Sequence, residues 1–124
     1  MGVIAGPPRL TTTADRLAGF QRGLQEAGRE LAPQAVVIGD FSRDSGERAV
    51  GTLLGAMPGL TAIFACNDVM AVGALRALRE SGLRVPDDVS VAGFDDIPIV
   101  RDVCPPLSTS ARRWRAWVSW RCEW

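Results

Sequence analysis

The chain alternates between short, continuous apolar runs and longer segments whose apolar residues recur every three or four positions. Gly2 to Gly6 forms the first run, a short buried strand stopped by Pro7-Pro8. The Thr11-Thr12-Thr13 run ahead of Ala14-Asp15-Arg16 resembles a helix N-cap region. Leu17, Phe20, Leu24 and Ala27 then recur at helical spacing, and Gly28 suits the residue that closes a helix. Ala35 to Gly39 predicts the second strand. Ser45 or Asp44 predicts the cap of a helix through Ala49, Val50, Leu53 and Leu54, ending near Pro58-Gly59. Thr61 to Cys66 predicts the third strand. Asp68 is expected to cap a helix through Met70, Val72, Ala74, Leu75 and Leu78, closed by Gly82, and Val89 to Gly93 predicts the fourth strand.

Four strand units joined by three helices predict an α/β fold: a parallel sheet with flanking helices, built by right-handed crossovers. Continuous apolar strands of this kind are buried by helices on both faces. Ligands of such sheets bind at the carboxyl ends of the strands. The residues facing that crevice should lie in the strand-to-helix turns: Arg16 with the Thr run, Asp40-Phe41, Asn67-Asp68 and Asp95-Asp96.

Length and composition narrow the classes. At 124 residues the chain is one domain or part of one, and 47% apolar with 23% charged residues suits a globular core. All 14 basic residues are Arg and the formal net charge is zero, which argues against nucleic-acid binding through charge alone. There is no His to complete a zinc site or a catalytic Ser-His or Cys-His pair. Cys66, Cys104 and Cys122 show no paired spacing; Cys66 reads as a buried small hydrophobe, and the setting as reducing and cytoplasmic. No signal peptide or membrane span is expected, and no cofactor. No phosphate-binding glycine motif occurs, and Asp95 and Asp96 are adjacent rather than a spaced acid/base pair, so an enzyme is not expected.

The segments TADRLAGF, VVIGDFS, TAIFACNDVMAVGALRALRESGLRVPDDVSVAGFDD and PPLST together resemble the sensor domain of LacI/GalR transcriptional regulators, over roughly Val3 to Thr109. The resemblance implies the C-terminal lobe of a two-lobed, periplasmic-binding-protein-like type I fold. It further implies that residues 1–109 are a partial sensor domain, truncated at both ends and lacking the helix-turn-helix headpiece, the hinge helix and the N-terminal lobe. The implied function is sensing of a sugar-like effector and dimerisation within a DNA-binding regulator. A fragment of a periplasmic sugar-binding transport protein is the alternative with the same fold.

By this resemblance Arg16 grips ligand hydroxyls, Phe41 packs on a sugar ring, and Asn67 and Asp95 exchange hydroxyl hydrogen bonds. Planar polar groups and an aromatic face suit a sugar. Simpler readings stand beside these: Arg16 as a salt-bridged helix residue, Phe41 as core, Asn67 as a turn former, and Asp96 as a loop anchor. The implied dimer interface comprises the helix start from Ser42 to Glu47, the face with Met70 and Ala74, and the loop with Ile97, Ile99 and Val100. Leu75 lies on the same face; the competing reading makes Met70 and Leu75 intramolecular core, and it is preferred for Leu75.

After Thr109 the resemblance stops. Residues 110–124 hold all four Trp, Trp114, Trp117, Trp120 and Trp124, together with Arg112, Arg113, Arg115 and Arg121. A basic aromatic helix for a membrane or nucleic acid is one reading. A shifted reading frame is the other, and the one preferred. Trp has a single codon, TGG. Reading one base earlier turns each Trp into an NTG codon, Leu, Met or Val. Trp117-Val118 then forces Gly, and Trp114-Arg115 and Trp120-Arg121 each force Ala or Glu. The forced pattern is an amphipathic helix. Resequencing the DNA from upstream of codon 1 through codon 124 is expected to show a base missing near codon 109; an intact frame there would refute the shift.

Overall fold

A computed structural model describes residues 1–110. Its elements run β1 (Gly2–Ala5), α1 (Thr11–Glu26), β2 (Val36–Ile38), α2 (Arg43–Ala56), β3 (Ala62–Ala65), α3 (Asp68–Glu80), β4 (Ser90–Phe94) and β5 (Ser108–Ser110). The strands form one sheet in the order β2-β1-β3-β4-β5, and every neighbouring pair is parallel. The expected α/β architecture is therefore present. The pattern missed β5, because Ser108–Ser110 carries no apolar side chain to mark it as a strand.

Side chains alternate between the two faces of each strand. On β3 and β4, Ile63, Ala65, Val91 and Gly93 are buried toward α2 and α3, while Ala62, Phe64, Ala92 and Phe94 are half-buried on the face that α1 crosses. The core lies between the sheet and the α2–α3 pair and includes Ile4, Leu53, Ile63, Met70 and Leu78, each at most 2% exposed. On the other face α1 stacks Phe20 on Phe64, with ring centroids 4.6 Å apart and planes nearly parallel at 4°.

Helix ends depart from the expected caps by small shifts. Ser42, not Ser45 or Asp44, caps α2, its hydroxyl accepting the Ser45 N–H at 3.1 Å. Ser45 is instead buried and accepts the Asp40 N–H. Asn67, not Asp68, caps α3 by accepting the Met70 N–H at 2.9 Å. The Thr run is the first turn of α1 itself, and Leu10 holds the cap position without a side-chain bond. Gly28 and Gly82 close α1 and α3 as expected, with φ of 71° and 76°. In both cases the glycine N–H and the next N–H reach back to the last carbonyls of the helix.

Helices α2 and α3 cross at two glycines. A methyl group on Gly46 would collide with the Met70 carbonyl, and one on Gly73 with the Arg43 carbonyl. Both obstacles are backbone and cannot rotate away. Gly46→Ala and Gly73→Ala are each expected to cost about 1–3 kcal/mol through forced separation of the helices. Gly51→Ala, on the open face of α2 with nothing near it, should instead gain up to about 1 kcal/mol. Urea denaturation of the three variants checks this; equal effects at all three positions would mean that the crossing is looser than described.

Candidate functional site

The carboxyl edge of the sheet collects the turns that follow β1 to β4, and a chain of polar contacts ties them together. Arg16 is its centre. The residue sits one turn before Phe20 on α1, so both point at the same sheet face. Phe20 lands on Phe64, and the Arg16 guanidinium lands 4.4 Å from the Phe94 ring centre. One Arg16 nitrogen donates to the Cys66 carbonyl at 2.6 Å, and the other to Asp95 Oδ1 at 2.8 Å. The cation is thus satisfied on its edge by two strand ends and on its face by an aromatic ring. Its side chain is only 9% exposed and that of Asp95 24%.

Asn67 joins the turns after β2 and β3. Its amide nitrogen donates to the Phe41 carbonyl at 3.3 Å while its oxygen caps α3. Phe41 has φ of 68°, a left-handed conformation that is costly for a bulky residue. Its ring lies directly over Gly6, where any side chain would strike both that ring and the Thr13 hydroxyl. Asp40, next to it, is exposed, and its pKa is lowered to about 2 by hydrogen bonds from the Ser42 hydroxyl and N–H and from Ser45. Burial pushes the Cys66 thiol up and keeps it a neutral hydrophobe, partly opposed by a hydrogen bond at Gly6 and by the charge of Arg16.

The sequence-predicted ligand residues therefore gather unequally. Arg16 and Asp95 pair directly, and Asn67 and Phe41 are linked through a backbone carbonyl. The roles of three neighbours were not anticipated: the Cys66 carbonyl and the Phe94 ring as partners of Arg16, and Asp68 as a buried residue that does not cap α3. Phe94 was within reach of sequence reasoning, since a strand residue directly before Asp95 lies beside whatever partners that carboxylate. The carbonyl left no side-chain signal.

Three of the expected interface residues need correction. Met70, Ala74 and Val100 are 0%, 0% and 2% exposed and belong to the chain's own core. The α2–α3 crossing at Gly46 and Gly73 covers the face on which Met70 and Ala74 lie. Ile99 is exposed at 46%, and Ser42, Glu47 and Ile97 are half-buried. Glu47 lies 3.6 Å from Arg43 and 3.5 Å from Arg76, bridging the two helices on their outer side. Arg112 and the four Trp of the tail lie outside the described residues. Among the described residues no cluster of metal-binding side chains occurs and no helix is long and apolar enough to cross a membrane.

An open parallel sheet with its polar groups gathered at one carboxyl edge is the architecture of periplasmic-binding-protein-like lobes. The chain belongs to the periplasmic binding protein-like domain family, whose pattern it matches over residues 1–117. Its relatives are LacI-family transcriptional regulators. It is 43% identical over 109 residues to the HTH-type transcriptional repressor PurR of Haemophilus influenzae, covering 88% of this chain and 32% of the repressor. It superposes on the transcriptional regulator CelR in its cellobiose complex with a TM-score of 0.84 and 42% identity, covering 87% of this chain and 33% of CelR. A lac repressor dimer bound to operator and an anti-inducer matches with a TM-score of 0.80 and 39% identity, over 87% of this chain and 37% of that one. The chain thus spans about a third of the length of the curated relatives it matches.

A double-mutant cycle tests the central pair. Arg16→Ala and Asp95→Ala should each destabilise the fold by about 1–3 kcal/mol, with a coupling of about 1 kcal/mol, discounted for the partial exposure of Asp95. Urea denaturation gives the three differences. A coupling of zero would mean that the two side chains do not hold each other in solution.

Proposed function

We propose that this chain is the effector-binding and dimerisation part of a LacI-type transcriptional regulator, with a sugar or related small polar molecule as effector. The observation that carries the reading is the Arg16–Asp95 pair, stacked on Phe94 at the carboxyl edge of the sheet. An arginine held by a carboxylate and a carbonyl presents a fixed, planar set of donors, suited to paired hydroxyls. Phe41 supplies an aromatic face for the apolar side of a sugar ring, and Asn67 an amide beside it. The similarity to CelR, solved with cellobiose, supports the sugar class.

The regulatory mechanism is differential binding. An effector that contacts this lobe and a facing one stabilises one relative position of the two, and shifts the population toward it. Such a shift changes how a paired DNA-binding segment spaces itself on an operator. DNA contact belongs to a headpiece and not to this lobe, whose charge is balanced. Homodimerisation through the outer α2–α3 side and the loop at Ile99 accompanies it, in a cytoplasmic setting without catalysis or membrane attachment. On its own, one lobe leaves most of a sugar in water, so binding by this chain is weak.

Nuclear magnetic resonance titration of the chain with cellobiose and with a panel of simple sugars tests the site. Expected are shifts confined to Arg16, Phe41, Asn67 and Asp95, with a dissociation constant of about 1 mM or weaker, equivalent to no more than about 4 kcal/mol. Shifts on the α2–α3 side in place of the carboxyl edge would overturn the assignment of the site. Light scattering on the same sample should show a dimer; a monomer would favour a transport-protein fragment instead.

A further inference from the structure

Asp68 is fully buried, and its charge is not used in the way the first residues of a helix usually are. Capping of α3 falls to Asn67. The Asp68 carboxylate instead turns toward the sheet edge. Its Oδ1 accepts the Thr109 hydroxyl at 2.6 Å, and its Oδ2 accepts the Ile97 N–H at 3.0 Å. The Thr109 oxygen in turn accepts the Asp96 N–H at 3.1 Å. One carboxylate therefore holds, directly or through one hydroxyl, the N–H groups of both residues that follow Asp95.

Those residues stand where the backbone needs holding. Asp95 has φ of 117° and Asp96 φ of 56°, conformations that side-chain-bearing residues adopt only when their surroundings impose them. The sequence leaves room for the arrangement. Gly93 lies against the Asp68 carboxylate, and a methyl group there would collide with it. The N-terminus of α3 also favours a negative charge at this position.

We infer that Asp68 is a positioning residue of the carboxyl-edge site: through Thr109 and the Ile97 N–H it holds the β4 exit in the conformation that presents Asp95 to Arg16. The inference rests on the reading of that edge as the effector site for its functional meaning. Its geometry is independent of the effector. Asp68 touches no ligand in this scheme; it acts through the loop.

Hydrogen exchange and side-chain resonances of the 124-residue chain test it. Thr109→Val removes the bridge on a half-exposed strand and should leave the fold intact. Exchange of the Asp96 N–H is expected to accelerate about tenfold, reflecting loss of its hydrogen bond to the Thr109 hydroxyl. The Ile97 N–H should stay slow in Thr109→Val and accelerate in Asp68→Ala. The hindered guanidinium signal of Arg16 should be lost in both. Thr109→Ser should restore the parent behaviour. Leu53→Ala, a core change remote from the edge, should lower stability while leaving the Arg16 signal in place. Parent-like Asp96 exchange and an unchanged Arg16 signal in Thr109→Val would overturn the inference. The same sugar titration on the parent chain separates the two claims: failure there counts against the effector reading, whereas the exchange results decide the role of Asp68.

Discussion

The Arg16 guanidinium is the contact on which the carboxyl edge depends. Helix α1 lies on the sheet face opposite the α2–α3 pair, where Phe64 and Phe94 are only half covered. Apolar contact is non-directional, so Phe20 on Phe64 holds α1 down without fixing how it is aimed. Arg16 adds the missing direction. Its two nitrogens reach the ends of β3 and β4, at Cys66 and Asp95, and its plane rests on Phe94. A lysine would supply the charge but not the fork, and would leave either the Cys66 carbonyl or Asp95 without its partner. The orientation of one helix and the position of two strand exits thus follow from one side chain.

Strands and helices were legible because their signals are local and redundant. Each of β1 to β4 is a short apolar run between turn residues, and Gly28 and Gly82 mark helix ends that only a left-handed residue closes well. Caps were misplaced where two candidates adjoin. Asn67 and Asp68 are both good capping residues, and what decided between them is the Thr109 hydroxyl forty-one positions away. Nothing local carries that information. β5 was invisible for a related reason: its residues are small and polar, and its strand character comes from pairing with β4.

Met70, Ala74 and Val100 turned out to be core, not interface, for a different physical reason. Helix α3 is buried around most of its circumference, with Met70, Ala71, Val72, Gly73, Ala74, Leu75 and Leu78 all inside. A periodicity argument distinguishes an apolar face from a polar one. It does not say whether the apolar face meets another part of the same chain or a second copy. Here α2 is the partner. The two interior glycines, Gly46 and Gly73, were the available clue, since glycine in a helix interior is unfavourable unless a close approach requires it. They mark where two backbones meet, and that meeting covers the face on which Met70 and Ala74 lie.

The site's own geometry limits what it does alone. Arg16 is bonded to Cys66 and Asp95, and Asn67 to Phe41 and Met70. A sugar hydroxyl arriving at this edge meets groups with partners, and gains only what it adds to them or exchanges with them. Exchange of one hydrogen bond for another yields little net free energy in water. Affinity then depends on excluding water from the whole ligand, which a single sheet edge does not achieve. In the proposed sensor the prearranged pair would therefore contribute orientation and selectivity, and the larger share of the binding energy would come from a second wall closing over the ligand. Under that proposal the position of the closing wall would be sensitive to the effector, because the energy is released only when both walls are in place. An internally satisfied half-site would for that reason suit one wall of the proposed sensor and be a poor receptor by itself.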